Sequence, residues 1–196
     1  HTIFSTPSGV TFVAGGKYTT YRAMAEDCIK EVLKCWPLED RIKYRISNTL
    51  EPLNPLATQE IFQRGQIIVQ HWQRNFQFDK TTLEKIFGRH GAEGEVILDK
   101  MLQRKITHPN SSNESLWWQA EAELAIESTM CLRLVDFYLR RSPLFLAHPD
   151  HGWLLIEDLA DVFAEKYSWD SAQKATEIDA ISQHLKFEMG WRANRT

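Results

Sequence analysis

The sequence has 196 residues, of which 43% are hydrophobic and 25% are charged, as in ordinary globular proteins. Its formal net charge of −3 argues against a nucleic-acid-binding protein, which usually carries a basic excess. No apolar run approaches the roughly 20 residues that a membrane-spanning helix needs, and the first residues lack the composition of a signal peptide. Cys28, Cys35 and Cys131 lack Cys-x-x-Cys spacing, which predicts free thiols in a reducing cytoplasm. We expect a piece cut from a longer polypeptide.

The first predicted unit is a strand, a glycine turn and a helix. Residues 9–14 form a short, mostly apolar segment that is rich in β-branched side chains, which indicates a buried strand. Gly15 and Gly16 are predicted to end this strand. Apolar side chains then recur at helical spacing from Thr19 onward. Because one strand cannot form a sheet alone, we expect its partner strands in sequence outside this chain or in a second copy.

The rest of the chain predicts a mainly α protein. Residues 36–57 contain three prolines without a sustained period and are predicted to be a linker. Helical periodicity then dominates and predicts about seven helices over residues 57–75, 79–91, 92–104, 115–130, 132–142, 151–167 and 171–189. Asp79 and Asp170 are predicted N-caps, and Gly88 or Gly91 is predicted to end the second helix. The predicted division is therefore 1–35, a linker 36–57, and a helical domain 58–196.

The glycine turn is the segment whose residue types indicate chemistry. A glycine pair before a helix lets a ligand approach backbone N–H groups that have no intrahelical partner, and the helix dipole favours an anion there. Lys17 and Arg22 flank this helix start, where Thr19 or Thr20 is the expected N-cap. Basic side chains are disfavoured at that end, which indicates a negative partner. The alternative is that Glu26, one turn further on, neutralises Arg22.

Three stretches resemble one enzyme family. Residues 15–26 read GGKYTTYRAMAE and are similar to the GGK-x-TTYR-x-MAE signature of FAD-dependent glycerol-3-phosphate dehydrogenases and the related oxidases. Residues 87–93, FGRHGAE, resemble the R-Y-G-S-x-A segment of the family's C-terminal domain. Glu121, Met130 and Asp136 lie in a stretch similar to its A-E-x-x-x-A-x-x-x-M and D-x-L-x-R-R-T patterns. His90 stands one residue away from the family's Tyr, and Ser142 replaces its usual Thr.

The resemblance implies a fold and a cofactor. The chain is expected to be the C-terminal part of the enzyme: residues 1–35 end the FAD-dependent oxidoreductase domain and the helical domain follows. The rest of that FAD domain is the first expected partner, and without it the chain should neither retain FAD nor be active. Gly15, Gly16, Lys17, Tyr18, Thr19 and Thr20 are the expected flavin contacts, their backbone amides stabilising the charge that develops on the ring.

The resemblance also implies an activity: hydride transfer from sn-glycerol 3-phosphate to FAD gives dihydroxyacetone phosphate, and electrons pass to quinone, or to oxygen in an oxidase. Lys17 is the expected catalytic residue and, with Arg22, a substrate contact, although Arg22 could instead only pack against the missing domain. No metal is expected. We expect a cytoplasmic protein, with peripheral contact to the inner face of the cytoplasmic membrane and a homodimer both left open.

Two rival classes are a non-catalytic helical interaction or regulatory module and a DNA-binding helical domain, the second disfavoured by charge. Several other residues favour structural roles. Arg140 and Arg141 are expected to pair with Glu121, Glu123 or Glu127 rather than to clamp a phosphate. His148 and His151 are expected to lie in a polar turn rather than bind a metal, because no third ligand is near. Trp117 and Trp118 are expected in a core or an interface.

Overall fold

The computed structural model describes residues 1–44 and 59–191, and the chain divides into two compact units, His1–Pro52 and Leu53–Thr196. Unit 1 begins with strands β1 (Thr2–Ser5) and β2 (Thr11–Ala14), followed by a 3₁₀ turn Tyr18–Thr20 and helices α1 (Tyr21–Leu33) and α2 (Leu38–Lys43). No residue of unit 1 is buried in its described part.

The predicted strand finds its partner within the chain. Strands β1 and β2 pair antiparallel, with Thr2 opposite Ala14. The hairpin closes because the Thr6 carbonyl accepts from Gly9 N, at 3.0 Å, and Gly9 adopts a φ of +84°. The expectation that the partner strand lies outside the chain was therefore wrong, because the partner is the segment Thr2–Ser5, whose four residues are too few to show a clear strand pattern.

Two further expectations for unit 1 differ from the structure. The strand at residues 9–14 was expected to be buried, but β2 begins only at Thr11, and Phe12 and Val13 are 47% and 43% exposed. Residues 36–57 were expected to be a linker without periodic structure, but α2 occupies Leu38–Lys43. Pro37 precedes this helix, a position where proline is tolerated because no backbone N–H is needed. The part of the predicted linker at residues 45–57 lies outside the described residues.

The regular secondary structure in the described part of unit 2 is helical. Its helices are α3 (Gln59–Gln63), α4 (Gly65–Asn75), α5 (Lys80–His90), α6 (Gly94–Thr107), α7 (Asn113–Thr129), α8 (Leu134–Asp136), α9 (Leu144–Ala147), α10 (Ile156–Tyr167) and α11 (Ser171–Met189). A π-helical turn, Phe137–Arg141, continues α8, and 3₁₀ turns Gly91–Glu93 and Trp153–Leu155 precede α6 and α10. The chain is thus mainly α, as predicted.

Local polar residues explain where these helices begin and end. Asp79 accepts a hydrogen bond from Thr82 N at 2.9 Å, and Asp170 accepts one from Gln173 N at 2.7 Å, which confirms both predicted N-caps. Gly91 ends α5 with a φ of +57°, a conformation that favours glycine. Helix α7 begins in the same way, because Ser112 Oγ accepts from Ser115 N at 3.1 Å.

The core of unit 2 forms around α7, which packs against α6 and α10. Trp72, Leu83, Ile97, Leu116 and Phe163 are at most 1% exposed and belong to one continuous apolar cluster. Burying such side chains contributes about 1.5–3 kcal/mol each. Unit 2 therefore holds the hydrophobic core of the described chain.

The structure corrects some helix boundaries in unit 2. The single helix predicted for residues 57–75 is interrupted at Arg64, between α3 and α4. The predicted helix 132–142 is a three-residue α-helix followed by the π-helical turn, and α9 was not predicted. Gly65 lies against Phe87, where a Cβ atom would approach the ring to 2.4 Å, so this glycine allows α4 and α5 to meet closely. No helix in residues 1–44 or 59–191 has the length and apolar character needed to cross a membrane.

Candidate functional site

The glycine turn of unit 1 requires both of its glycines. Gly15 and Gly16 have φ values of +76° and +105°, a region that other residues rarely adopt. A Cβ atom on Gly16 would also lie 2.4 Å from the sulfur of Met24 in α1. The turn therefore connects β2 to the helix through two exposed residues without side chains. A ligand could approach the backbone closely at such a place.

Lys17 lies at the start of the helical segment. Its carbonyl accepts hydrogen bonds from Thr20 N and Thr20 Oγ1, both at 2.9 Å, which closes the 3₁₀ turn before α1. Thr20 is the residue before α1, as expected, but its hydroxyl binds Lys17 instead of capping the helix. Neither the 3₁₀ turn nor α1 has an acidic side chain in its first turn. The helix start therefore presents positive potential without internal neutralisation in that first turn.

The six predicted flavin contacts form one exposed segment, residues 15–20. Tyr18 is 91% exposed and lies 6.0 Å, between ring centroids, from Tyr21. Arg22 Nε is 3.9 Å from Glu26 Oε1, so the i, i+4 pairing considered from the sequence is present. The arrangement can accommodate an anion or a developing negative charge at the turn, with Lys17 as its cation.

A second polar cluster, in unit 2, joins two of the motif segments. Glu121, whose side chain is 4% exposed, accepts a hydrogen bond from Arg89 Nε at 2.8 Å, and His90 Nε2 lies 2.8 Å from its Oε1. Arg89 also donates to the Arg141 carbonyl at 2.9 Å and stacks over the Trp118 ring at 5.6 Å. These contacts tie α5, α7 and the π-helical turn together. The sequence motifs named these residues but did not predict their pairing.

An ion-pair network crosses α6, α7 and α10. Glu123 and Glu127 are bridged by Lys100, from α6, and Lys166, from α10. Hydrogen bonds from these lysines lower the pKa of Glu127 to about 2. Burial raises the pKa of Glu123, but Lys166 and its other cationic partners outweigh this effect and lower it.

Arg140 and Arg141 were expected to pair with Glu121, Glu123 or Glu127, and that expectation was wrong. Arg140 pairs with Asp136 one turn before it, and the Arg141 guanidinium has neither an ion pair nor a hydrogen bond in the described part of the chain. The prediction for Arg140 was wrong because Asp136, four residues earlier, is a nearer partner than the glutamates of α7.

The segment at His148 is a polar turn, as predicted. Asp150 accepts hydrogen bonds from Gly152 N at 2.9 Å and Leu154 N at 3.0 Å, and it also binds His148. His151 Nδ1 lies 2.8 Å from the Phe145 carbonyl. Within residues 1–44 and 59–191 no three His, Cys, Asp or Glu side chains are grouped to hold a metal ion.

Trp117 and Trp118 stack with centroids 4.7 Å apart and are buried in the core of unit 2. Both residues lie on α7. A core was one of the two locations expected for them, the other being an interface.

The fold is a mainly helical domain that follows a strand–turn–helix unit with a glycine–lysine turn. Residues 57–174 match the family model of the C-terminal domain of alpha-glycerophosphate oxidase. That match covers more than half of the chain, which therefore belongs to this family.

Curated relatives point in the same direction. The chain is 21% identical over 208 residues to mitochondrial glycerol-3-phosphate dehydrogenase SDP6 of Arabidopsis thaliana, covering 95% of this chain and 30% of the relative. It is 21% identical to the mitochondrial glycerol-3-phosphate dehydrogenase of Bos taurus, covering 98% and 26%. It is 23% identical to the probable mitochondrial enzyme of Caenorhabditis elegans, covering 100% and 27%. The chain thus spans less than a third of the length of these relatives.

Proposed function

We propose that the chain is the C-terminal portion of a flavoenzyme that oxidises sn-glycerol 3-phosphate to dihydroxyacetone phosphate. Family membership and the dehydrogenase relatives support the substrate and the reaction class. In the full-length enzyme, FAD held partly by the Gly15–Gly16–Lys17 turn would supply the chemistry of hydride acceptance. The single observation that carries the proposal for this chain is the exposed Gly15–Gly16–Lys17 turn at the start of α1.

The residues of the turn fit the electron-rich edge of a flavin. Two positive-φ glycines remove side chains from the approach, and the first turn holds no carboxylate that would repel negative charge. The N–H groups at the start of a helix lack intrahelical acceptors and donate outward. Fixed donors and the Lys17 ammonium stabilise charge that increases during the reaction, which lowers the barrier more than it tightens substrate binding.

Arg22 is proposed as a second cation near the phosphate of the substrate. It lies on the first turn of α1 and retains Glu26 as its neighbour. The base that takes the substrate hydroxyl proton and most phosphate-binding cations are assigned to the larger FAD-binding portion. On this proposal the 196-residue chain alone does not retain FAD and does not turn over.

The test is Lys17→Ala in the full-length enzyme. The expected result is a fall in kcat of about 100-fold, the size seen when one preorganised electrostatic donor is removed, with a lower flavin reduction potential. Lys30→Ala is the matched control, because Lys30 also lies on unit 1, is exposed, and pairs with Asp27 at 3.2 Å. Unchanged kcat and potential in Lys17→Ala would remove the turn from the mechanism.

The electron acceptor separates two forms of the proposal. We favour quinone as the electron acceptor because the curated relatives cited above are named dehydrogenases. Oxygen is the alternative acceptor, because the family model is named for an oxidase. Quinone reduction and hydrogen peroxide release by the full-length enzyme distinguish the two. A quinone-linked enzyme is further proposed to lie in the cytoplasm against the inner membrane face, which fractionation with and without high salt tests.

A further inference from the structure

One side chain of α1 lies directly against the glycine turn. A Cβ atom added to Gly16 would lie 2.4 Å from Met24 Sδ and 2.8 Å from Met24 Cε. The end of the Met24 side chain therefore occupies the space that any side chain at residue 16 would need. Methionine suits such a contact, because its flexible, unbranched chain fills an irregular space. Met24 is also partly buried, whereas residues 15–21 are exposed.

The start of α1 holds two consecutive residues of the turn. Thr20 fixes Lys17, because the Lys17 carbonyl accepts hydrogen bonds from Thr20 N and Thr20 Oγ1 at 2.9 Å each. Met24 follows Thr20 by four residues, about one helical turn, so the two side chains leave the helix start on the same side. Met24 contacts Gly16, the residue before Lys17. The turn is therefore held by an apolar contact at Gly16 and by hydrogen bonds at Lys17.

The other neighbour of the glycines is His1, and its contacts are looser. His1 Cα would lie 3.9 Å from a Cβ atom on Gly15, and His1 Cβ would lie 3.5 Å from one on Gly16. His1 Nε2 lies 2.9 Å from Asp27 Oδ2, one turn beyond Met24 on α1. The Asp27 side chain is 47% exposed, and exposed pairs of this kind contribute little to stability. Met24 is therefore the contact that fixes the distance between the turn and α1.

The turn needs such a contact because of its two glycines. Gly15 and Gly16 lack the Cβ atoms that restrict other residues, and glycine therefore loses the most conformational freedom when its backbone is fixed. Preorganised donors stabilise a developing charge only while they keep their direction. A displacement of about 1 Å in an active site can cost about 100-fold in rate. A side chain that keeps Gly16 in place would therefore affect a reaction in which it does not take part.

We propose that Met24 is a positioning residue for the Gly15–Gly16–Lys17 turn. Its thioether packs on Gly16 and so holds the backbone amides and Lys17 in the direction that the flavin requires. The inference rests on the proposed function, because the direction of the turn matters for the reaction only if the turn contacts the flavin. The contact depends on apolar volume rather than on sulfur chemistry, so leucine should replace methionine at this position.

A pair of variants in the full-length enzyme tests the role, with rates expressed per bound FAD. Met24→Ala is expected to lower kcat at least about tenfold with little change in KM, and to lower the flavin reduction potential. Met24→Leu is expected to stay within about threefold of the parent kcat, because the volume is conserved. Ile29→Ala is the control, since Ile29 is an apolar residue of the same helix and is 54% exposed.

Two results in these variants would overturn the proposal. One is a Met24→Ala enzyme with the parent kcat and potential. The other is a Met24→Leu enzyme that is as impaired as Met24→Ala, since apolar volume would then not be what the turn needs. An equal loss in Ile29→Ala would likewise contradict it, because any apolar side chain of α1 would then have the same effect.

Hydrogen exchange provides a readout that needs no turnover. In the full-length polypeptide, the backbone amides of residues 15–20 are expected to exchange at least about fivefold faster in Met24→Ala than in the parent or in Met24→Leu. Unchanged exchange would contradict the proposal. Faster exchange, together with a Lys17→Ala enzyme of parent kcat and potential, would sink the proposed function while Met24 still holds the turn. Impaired Lys17→Ala beside unimpaired Met24→Ala would sink only the inference.

A double-mutant cycle tests the contact itself. Gly16→Ala adds a methyl group that meets the thioether and also strains a backbone whose φ is +105°. In the Met24→Ala background only the backbone strain remains. The fold loss in kcat caused by Gly16→Ala should therefore be at least about twofold smaller in that background. Equal losses in the two backgrounds would show that the two residues act independently, and the proposal would be wrong.

Discussion

The two units of the chain differ in how they use their apolar side chains. In unit 2 the large apolar residues of α4–α10 form one core, with Trp72 and Leu83 at 1% and 0% exposure. In unit 1 even the described residues of β1, β2, α1 and α2 include none that is buried. Leu38 and Ile42 are 71% and 64% exposed, and Phe4 and Phe12 stack with centroids 5.2 Å apart near water. The buried apolar cluster of the described chain therefore lies in unit 2, whereas unit 1 leaves its large apolar side chains partly or fully exposed.

The largest expected effect tests whether stability resides in unit 2. Trp72→Ala should lower the free energy of unfolding by about 3–5 kcal/mol, because it removes a fully buried ring that packs against Gly94 and Phe87. Leu38→Ala, the control in unit 1, should change it by less than about 0.5 kcal/mol. Urea unfolding of the 196-residue chain measures both. A large effect of Leu38→Ala would show that unit 1 has a core of its own.

A smaller effect is expected from the buried carboxylate that fastens α11. Glu177 is 1% exposed and accepts from Arg133 Nε at 2.6 Å and from Leu134 N at 3.1 Å. Glu177→Ala should lower the free energy of unfolding by about 1–3 kcal/mol, chiefly because the buried Leu134 N–H loses its hydrogen-bond acceptor. Glu188→Ala, at an exposed position of the same helix, should be close to neutral in the same unfolding assay. Equal effects would mean that α11 is not fastened through this carboxylate.

The smallest expected effect is the dependence of stability on pH in the acidic range. The pKa of Glu127 falls from an ordinary 4.5 to about 2 through Lys100 and Lys166. A lowered folded-state pKa stabilises the protein above pH 4.5, and this stabilisation is lost as the pH falls from 4.5 toward 2. Thermal unfolding between these pH values should therefore show a falling Tm.

Lys166→Gln should make that fall in Tm shallower, and Lys186→Gln, an exposed control on α11, should leave it unchanged. A fall of the same steepness in Lys166→Gln and the parent chain would assign the acid sensitivity to other carboxylates, such as Asp79, whose pKa is also about 2.

Sequence patterns predicted what depends on local chemistry. The caps at Asp79 and Asp170, the helix end at Gly91 and the glycine turn before α1 follow from side chains a few residues apart, and the structure has them. Periodicity likewise predicted a mainly helical chain. The resemblance in residues 15–26 indicated the family, which the match over residues 57–174 shows.

What the sequence did not reveal depends on contacts between distant segments. The β1–β2 pairing joins two four-residue strands whose short segments show no strong strand pattern by themselves. The pairs Arg89–Glu121 and Arg133–Glu177 join residues 32 and 44 positions apart, so no local spacing predicts them. The roles of Lys17 and Arg22 depend on groups outside the described units and stay predictions.

The π-helical turn Phe137–Arg141 has a consequence for comparing lengths among relatives. Ser142 N donates to the Phe137 carbonyl at 2.9 Å, a loop of five residues where an α-helix would use four. Deleting one residue here would restore the α-helical repeat and rotate the preceding helix relative to the following segment by about 100°. In a homologue that lacks one residue here, the two arginines should therefore point in a different direction. The position of a gap at residues 137–141 in an alignment would then predict this difference in side-chain direction.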